Sequence, residues 1–285
     1  MGAVDDITAI LPLKNFHPGF LRTAIESVRR QTSPAWQLKI VVEAEDRGRF
    51  EQQLAWCLAD DRVELLTNRG RKLAGAINSG MLAASTRFAA ILLGDDRWAP
   101  EAVETLRRSI AAEPATDFFH SARQVVDEQD RIISRVYPAR RSFELHEFAF
   151  GSPVKHLLCW RVEMGLAVGG VDETLNSVGP DDWDFPWVMA EHGARFSPLE
   201  QCLYLYRDHR EAYRLTTHLP LSHHRREIER ILRKHGVSED ILRQRLERAE
   251  DGFLRQCLYR NPFDRWWKRL RGHDPRRGWR ERYER

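Results

Sequence analysis

The 285-residue chain contains little cysteine and no long apolar run. Its cysteines are Cys57, Cys159, Cys202 and Cys257, and none of them forms a CxxC pair. Reduced thiols are therefore expected, and a zinc site is not. No stretch approaches the roughly 20 apolar residues that a membrane-spanning helix needs. No basic start leads into an apolar segment either, so no secretory signal is visible and the cytoplasm is the expected location.

Charge is unevenly distributed along the chain. The formal net charge is +3, but residues 255–285 hold eleven Lys or Arg against four Asp or Glu, together with Trp266, Trp267, Trp279 and Tyr283. Basic residues beside tryptophan suit the headgroup region of an anionic membrane, which predicts peripheral contact through this tail. A solvated tail is the equally weighted alternative. Nucleic acid is not an expected partner, because no recognised nucleic-acid-binding motif is present.

Short apolar runs alternate with helical patterns through the first hundred residues. The runs predict strands at Ile7–Leu11, Leu38–Val42, Val63–Leu66 and Phe88–Leu93. Apolar residues at helical spacing predict helices after Phe20 and around Leu73–Met81. This alternation predicts a mostly parallel α/β sheet covered by helices on both faces, an architecture typical of nucleotide-binding proteins.

The fourth predicted strand ends in Gly94 and two adjacent carboxylates, Asp95 and Asp96. Ligands of open α/β sheets bind beyond the carboxyl ends of the strands. Two neighbouring carboxylates repel each other unless a cation lies between them. Mg²⁺ and Mn²⁺ prefer oxygen ligands and commonly bridge carboxylates to substrate phosphates. The pair therefore predicts a divalent metal site, with an ordinary acidic turn as the alternative.

Six segments, in order, resemble motifs of the family 2 glycosyltransferases, which are inverting enzymes with the GT-A fold. The segments are Ile10–Asn15, Leu21–Thr32, Ile40–Glu43, Leu73–Gly80, Leu93–Asp96, and Gly169–Glu173 followed by Asp181–Asp184. Each motif is weak alone, and their order carries the resemblance. It implies a GT-A fold, with a nucleotide-binding, mostly parallel sheet flanked by helices, and transfer of a sugar from a nucleotide-sugar donor to an acceptor hydroxyl.

The resemblance extends from about Ile7 to about Thr217. It implies a GT-A domain at residues 1–217, with a nucleotide-sugar-binding part at about 1–98 and an acceptor-side part at about 99–217. A hairpin at residues 127–133 is expected in the second part. Residues 218–285 are then a helical, basic, tryptophan-containing extension. It begins with an amphipathic helix whose inward residues are Ile228, Ile231 and Leu232.

The resemblance also assigns a set of donor-binding positions. They are Pro12, Asn15, Glu43, Lys72, Asn78, Asp95 and Arg207. Glu43, at the end of the second strand, is expected to accept hydrogen bonds from the base or ribose. Lys72 is expected to hold a phosphate, with an ordinary surface lysine as the alternative. Arg207 is expected to offset phosphate charge.

His209 ends the segment Leu203–His209, which resembles the family's Tyr-Arg-x-His strand. The implied ligands of the Mn²⁺ or Mg²⁺ ion are therefore Asp95, Asp96 and His209. For the histidine, contact with the diphosphate and a purely structural role are alternatives. Leu93 replaces the first aspartate of the family's fuller DXD pattern, while the final pair is kept.

The acidic cluster Asp181–Asp184 supplies candidates for a general base. In-line attack by an acceptor hydroxyl inverts the anomeric centre and needs a carboxylate that accepts the hydroxyl proton. The resemblance places this base at the second acid of the pair, Asp182. One acid of the cluster is expected to cap the following helix, and Asp181 suits that role. Asp181 and Asp184 are the alternative bases.

Two other functions remain open. A nucleotidyltransferase would carry a glycine-rich phosphate loop after the first strand, where this chain has Pro12–Asn15. A catalytically silent nucleotide-sugar-binding scaffold of the same fold would fit the departures from the family motifs. Within the transferase interpretation, the family favours UDP- or GDP-hexoses and a bacterial surface glycan or lipid-linked acceptor.

Overall fold

A computed structural model describes residues 7–14, 16–175, 179–209 and 221–258, with backbone alone for residues 221 and 249–258. The described chain divides into two compact units, one within residues 7–175 and 180–209 and one that includes residues 221–258. The expected boundary between residues 217 and 218 lies outside the described residues. The division into a 217-residue domain and an extension therefore stays a prediction.

The strands of the described first unit form one eight-stranded sheet. They are β1 Ile7–Leu13, β2 Trp36–Val42, β3 Val63–Thr67, β4 Phe88–Ile91, β5 Arg97–Trp98, β6 Phe118–Val126, β7 Leu158–Arg161 and β8 Phe196–Arg207. Their order in the sheet is β3-β2-β1-β4-β7-β6-β8-β5. Strands β3, β2, β1 and β4 are mutually parallel, as β6 and β8 are. Strand β7 runs antiparallel to β4 and β6, and β5 runs antiparallel to β8.

Helices connect these strands and continue into the second unit. They are α1 Pro18–Arg29, α2 Arg47–Gln53, α3 Ala55–Leu58, α4 Lys72–Leu82, α5 Ala102–Ala112, α6 Val162–Ala167, α7 Phe185–Glu191, α8 Leu221–Lys234 and α9 Glu239–Leu258. Short 3-10 helices occur at Ala44–Asp46 and Leu145–Phe150, and a π-helical turn at Pro180–Asp184 leads into α7.

Both faces of the sheet are buried, as a parallel sheet requires. On β1, Ala9 and Leu11 belong to the apolar cluster that includes α1 and α5. Ile10 points to the opposite face and belongs to the cluster that includes α4 and α7. Because successive strand residues alternate between faces, an unbroken apolar run is what a strand buried on both sides needs. The predicted α/β sheet is confirmed.

Strand β1 continues through Pro12 to Leu13, two residues beyond its predicted end. The backbone of Ile10 faces β4, since its carbonyl accepts a hydrogen bond from the N–H of Leu92. Pro12, two residues further on, faces the same side. Strand β4 has by then ended at Ile91. The N–H that proline lacks is therefore not needed there, and β1 keeps its pairing with β2 on the other side.

The predicted hairpin after β6 is present. The N–H of Asp127 donates to the carbonyl of Arg131, and the N–H of Ile133 donates to the carbonyl of Val125. Val126 and Ile132 form an antiparallel bridge. The turn holds the side chain of Asp130 beside the end of β8, where it takes part in the site described below.

The second unit contains α8 and α9 in its described part. Ile228, Ile231 and Leu232 are buried, so the predicted inward face of the first helix is confirmed. Among the described residues no helix is both long and apolar enough to cross a membrane. Residues 259–285, which hold all three tryptophans of the predicted membrane-contacting tail, lie outside the described residues.

Candidate functional site

The acidic pair after β4 contains two carboxylates in different environments. The chain turns sharply here, because the N–H of Asp96 donates to the carbonyl of Leu93. The side chain of Asp95 is 44% exposed, whereas Asp96 is only 1% exposed. Adjacent residues of one turn thus face solvent and core respectively.

Asp96 is buried against β8. Its Oδ1 accepts a hydrogen bond from the backbone N–H of Arg207 at 2.7 Å, and its Oδ2 accepts one from the Tyr204 hydroxyl at 2.7 Å. Burial, followed by repulsion from Asp95, raises the pKa of Asp96 well above its usual range, and these two hydrogen bonds oppose that rise. Both oxygens of Asp96 are therefore occupied in joining the turn to β8.

Arg207 is also occupied by the protein itself. Its side chain has no exposed surface. Its Nε donates to the carbonyl of Asp95, its Nη1 to the carbonyl of Asp127 and its Nη2 to the carboxylate of Asp130, at 2.6–2.8 Å. The guanidinium also lies 4.5 Å from the ring centroid of Phe20. Buried in this way, with each guanidinium nitrogen donating a hydrogen bond within the protein, Arg207 braces the turn at Asp95 and the hairpin.

His209 lies beside Asp95. Its Nε2 is 3.2 Å from Asp95 Oδ2, and its ring centroid is 5.0 Å from that of Phe20. The imidazole side chain is 8% exposed, and its Nδ1 is buried without a hydrogen-bond partner among the described residues. The structure therefore brings together two potential metal ligands, the carboxylate of Asp95 and the Nε2 of His209.

In the part of the chain that the structure describes, no three His, Cys, Asp or Glu side chains are grouped to hold a metal ion. Mg²⁺, however, is commonly bound through only one or two carboxylates, with substrate phosphates and water as its other ligands. The partly exposed carboxylate of Asp95 beside the Nε2 of His209 fits such a site. Asp96, with both oxygens already hydrogen-bonded, does not offer a free ligand atom in this state.

A second group of predicted residues surrounds the loop between β3 and α4. Glu43 directly follows β2 and is half-buried, and its Oε1 accepts a hydrogen bond from Asn68 Nδ2 at 3.1 Å. The same amide donates to the carbonyl of Lys72 at 3.0 Å. Lys72 begins α4 with a φ of 55°, a left-handed conformation that is rare for a residue with a side chain. Its side chain is exposed.

Asn78 ties α4 to a distant loop. Its Oδ1 accepts the N–H of Val171, and its Nδ2 donates to the carbonyl of Val171 and to Glu173. Gly170 has a φ of 76°, and a Cβ there would lie 2.5 Å from Asn78 Oδ1, which explains the glycine. With its amide engaged by the protein, Asn78 positions the loop and has little capacity left for a ligand.

The remaining two donor-side predictions concern the first turn. Pro12 is half-buried within β1, and Asn15 lies outside the described residues. The donor-side positions that can be located, Pro12, Glu43, Lys72 and Asp95, stand at or near the carboxyl ends of β1, β2 and β4 and at the start of α4. That edge is where ligands of open α/β sheets bind.

The acidic cluster Asp181–Asp184 occupies the π-helical turn before α7. Asp184 is 1% exposed and stands at the N-cap position of α7, whereas Asp181 and Asp182 are half-buried. The expectation that Asp181 caps the helix is wrong, because the π-turn delays the start of α7 to Phe185. Trp183, Trp187 and Val188 pack inward as predicted.

The two half-buried carboxylates have different neighbours. Burial raises the pKa of Asp182 above its usual range, and the positive charges of Lys155 and Arg123 oppose that rise. Asp181 Oδ2 lies 3.6 Å from His156 Nε2. Burial and then repulsion from Asp182 raise the pKa of Asp181 to about 7. Burial lowers the pKa of His156 to about 3, so this histidine is neutral at physiological pH.

The structure joins the two acidic pairs through aromatic residues. The Tyr204 hydroxyl that binds Asp96 belongs to a ring whose centroid is 5.1 Å from that of His156. His156 in turn faces Asp181. Tyr204, His156, Lys155 and Arg123 were not predicted from the sequence. They come from three separate segments, and no spacing between those segments and the acidic motifs signals that they meet.

A known protein family matches more than half of the chain. A family model described as Glycosyl transferase family 2 matches residues 8–160, and the chain belongs to this family. A relative from Escherichia coli, UDP-Glc:alpha-D-GlcNAc-diphosphoundecaprenol beta-1,3-glucosyltransferase WfgD, is 28% identical over 125 residues. The match covers 43% of this chain and 48% of the relative, so it spans about half of the relative's length.

Solved structures of S. aureus TarS resemble the chain in fold. TarS 1–349 in complex with UDP-GlcNAc matches 91% of this chain and 77% of that chain, with a TM-score of 0.65 and 14% identity. A structure titled as TarS without a residue range matches with a TM-score of 0.58 and 12% identity, over 91% of this chain and 44% of that chain. At such identities the likeness shows the fold alone, and it confirms the predicted GT-A fold.

Proposed function

We propose that this protein is an inverting glycosyltransferase that moves a sugar from a UDP-sugar to a hydroxyl of a lipid-linked bacterial glycan. Membership of glycosyl transferase family 2 supports the reaction class. The name of the Escherichia coli relative, with UDP-Glc as donor and a diphosphoundecaprenol acceptor, supports both substrates. A related fold solved with UDP-GlcNAc also favours a uridine nucleotide over a guanosine one.

One observation carries the proposal. An exposed carboxylate beside an imidazole, Asp95 with His209, is linked through Tyr204 and His156 to the pair of half-buried carboxylates Asp181 and Asp182. Sugar transfer needs both parts, because charge develops on the leaving diphosphate while the acceptor hydroxyl loses a proton. Two acidic sites with separate environments suit these separate tasks.

Asp182 is the proposed general base. It accepts the proton of the acceptor hydroxyl as the hydroxyl oxygen bonds to C1 of the sugar and the bond from C1 to the diphosphate oxygen breaks. The nucleoside diphosphate leaves from the opposite face, so the anomeric configuration inverts. Lys155 and Arg123 favour the ionised form that a base requires. Burial at the N-cap position of α7 disfavours Asp184 as the base.

The proposed donor site uses Glu43 for the base or ribose, Lys72 for a phosphate and Asp95 toward the diphosphate. Pro12 and Asn15 stay predicted contributors of the first turn. Asn78 and Arg207 are reassigned from donor contacts to positioning residues, since their polar atoms are engaged within the protein. Positioning of this kind matters, because a displaced contact weakens catalysis even far from the reacting atoms.

A divalent cation, Mn²⁺ or Mg²⁺, fits this site through Asp95 and His209, while Asp96 holds the turn that presents Asp95. Such an ion, when bound, neutralises charge on the departing diphosphate. Hydrogen bonds among Asp96, Tyr204 and Arg207 hold the turn that presents Asp95 beyond the end of β4.

The decisive experiment offers the protein a panel of UDP- and GDP-sugars and measures release of nucleoside diphosphate with and without a lipid-diphosphate sugar acceptor. The proposal expects acceptor-dependent release from a UDP-hexose and a product of inverted anomeric configuration by NMR. Release from none of the donors, despite UDP-sugar binding by calorimetry, would instead support a silent nucleotide-sugar-binding scaffold. Absence of both binding and release would contradict both functions.

The proposed location is the cytoplasm, at the inner face of the membrane where a lipid-linked acceptor is found. Contact through the basic tail at residues 255–285 stays a prediction, because most of that segment lies outside the described residues. Co-sedimentation with anionic vesicles, comparing the full chain with one ending at Asp251, tests it. Equal sedimentation of the two proteins would exclude a role for the tail.

A further inference from the structure

Asp181 and Asp182 are adjacent, half-buried carboxyl groups on one π-helical turn. Two carboxylates in such a place repel each other, and burial penalises the charge of each. A close carboxyl pair therefore tends to hold one proton between its members, as the paired aspartates of aspartic proteases do. The question is which of the two holds it.

The surroundings of the pair are asymmetric. Positive charge comes from Lys155, in the segment before β7, and from Arg123 on β6, and both act on Asp182. Lys155 is exposed, and loss of hydration caused by neighbouring groups lowers its pKa, while Asp182 opposes that effect. These cations stabilise an ionised Asp182.

Asp181 instead faces an uncharged partner. His156 Nε2, 3.6 Å from Asp181 Oδ2, is buried and has no hydrogen-bond partner among the described residues. The Tyr204 ring, whose hydroxyl is directed to Asp96, faces His156, and Asp184 is buried in the same turn as Asp181. Burial, followed by Arg123 and Lys155, lowers the pKa of His156, so this histidine stays uncharged. The 3.6 Å separation is longer than a hydrogen bond, and a small approach of the two side chains would let a protonated Asp181 donate to the imidazole nitrogen. A carboxylate at this position would gain no ion pair with a Lys or Arg of the described residues.

We propose that Asp181 is a positioning residue that holds the proton of the pair in mildly acidic solution, beside His156, so that Asp182 alone is ionised there and available as the base. The direction of the Asp181 shift agrees with this assignment, since burial and Asp182 raise its pKa to about 7. The kinetic part of this inference rests on the proposed function. The protonation part does not depend on it.

The kinetic test compares isosteric variants. Asp181→Asn mimics the neutral acid and is expected to keep kcat at pH 6 within about threefold of wild type, whereas Asp182→Asn loses about 100-fold or more. The pH profile of wild-type kcat/KM should contain an inflection near pH 7 that Asp181→Asn lacks. A purely structural role for Asp181 would not remove that inflection. Loss of activity in Asp181→Asn equal to that in Asp182→Asn would overturn the proposal.

A second buried histidine, His120, provides a control for substitution of His156. His156→Phe removes the acceptor of the Asp181 proton, so the inflection should move to lower pH. His120, also buried and with both ring nitrogens unpartnered among the described residues, has no carboxylate at ion-pair distance in that part of the chain. His120→Phe should leave the inflection where it is. Equal effects of the two variants would contradict the pairing with His156.

Thermal unfolding tests the protonation without any enzyme assay. The Asp181 pKa is raised in the folded state, so its contribution to stability is present at pH 4 and declines as pH rises through about 7. The unfolding midpoint of wild type relative to Asp181→Asn should therefore fall between pH 5 and pH 8. A constant difference across that range would overturn the proposal. If wild type transfers no sugar, the proposed function fails while this comparison still decides the protonation.

Discussion

Two pairs of adjacent aspartates, Asp95–Asp96 and Asp181–Asp182, look alike in the sequence and differ in the structure. In the first pair one carboxylate faces solvent and the other is buried, with hydrogen bonds from a backbone N–H and a tyrosine hydroxyl. In the second pair both are half-buried, and charged groups distinguish them. Exposure separates the members of one pair, and electrostatics separates the members of the other.

The difference shows how one fold obtains different chemistry from the same side chain. A strand-end turn gives consecutive residues opposite directions, so Asp96 can fix the backbone that presents Asp95. A π-helical turn keeps Asp181 and Asp182 in similar surroundings. There, repulsion from Asp182 raises the pKa of Asp181, while Lys155 and Arg123 oppose the rise at Asp182, and these effects separate their proton affinities. Substitutions to asparagine remove charge with little change of shape, and they can test each assignment.

The largest effect is expected at Asp182. Asp182→Asn should lower kcat by about 10²–10⁴-fold, the usual contribution of general base catalysis, because an amide cannot accept the acceptor's proton. The KM for the donor should change little, since the loss falls on the transition state. Steady-state kinetics with the UDP-sugar found in the donor panel provide the measurement. An Asp182→Asn enzyme that retains activity while Asp184→Asn is silent would move the base to Asp184.

Asp95 should govern metal-dependent donor binding. Wild type is expected to bind the UDP-sugar more tightly with Mn²⁺ than without it by isothermal titration, and Asp95→Asn should abolish that difference. Its free energy of unfolding should stay within about 0.5 kcal/mol of wild type, because the side chain is at the surface. Asp61→Asn, at another exposed carboxylate, is the control. A metal effect that survives in Asp95→Asn would show that the ion is held elsewhere.

Asp96 should behave in the opposite way. Asp96→Asn replaces one acceptor oxygen by an amide group that faces a hydrogen-bond donor, so a buried polar contact is lost. Urea titration should show a free energy of unfolding lower by about 1–3 kcal/mol. Asp95→Asn is the matched control from the same turn. Equal stability of the two variants would mean that the contrast between the members of this pair is wrong.

Much of the fold could be predicted from the sequence, because parallel strands buried on both faces leave unbroken apolar runs. Strands β2 and β3 and the hairpin after β6 were located to within two residues. The two acidic motifs could be recognised because one follows a predicted strand and the other precedes a predicted helix. The local sequence pattern therefore predicted the strands and helices and the regions that form the site.

The sequence could not reveal which polar atoms were already engaged. Arg207 and Asn78 were expected to contact the nucleotide-sugar donor. The Arg207 side chain is fully buried, however, and both residues form their hydrogen bonds within the protein. These contacts join residues as far apart as Asp95 and Arg207, and no local periodicity encodes them. For the same reason, the sequence did not predict that the rings of His156 and Tyr204 lie next to each other.

The smallest effect is expected at Tyr204, the residue that connects the two pairs. Tyr204→Phe keeps the ring beside His156 but removes the hydroxyl that donates to Asp96 at 2.7 Å. The same hydroxyl accepts a longer hydrogen bond from the N–H of Leu93 at 3.4 Å. Loss of both should lower the free energy of unfolding by about 1–2 kcal/mol. Tyr137→Phe, at an exposed tyrosine, should have no measurable effect.

If Tyr204 acts through Asp96, the double variant Tyr204→Phe/Asp96→Asn should be less destabilised than the sum of the single variants, because both remove the same contact. Strict additivity in urea titrations would instead separate Tyr204 from Asp96 and would break the proposed connection between the two pairs.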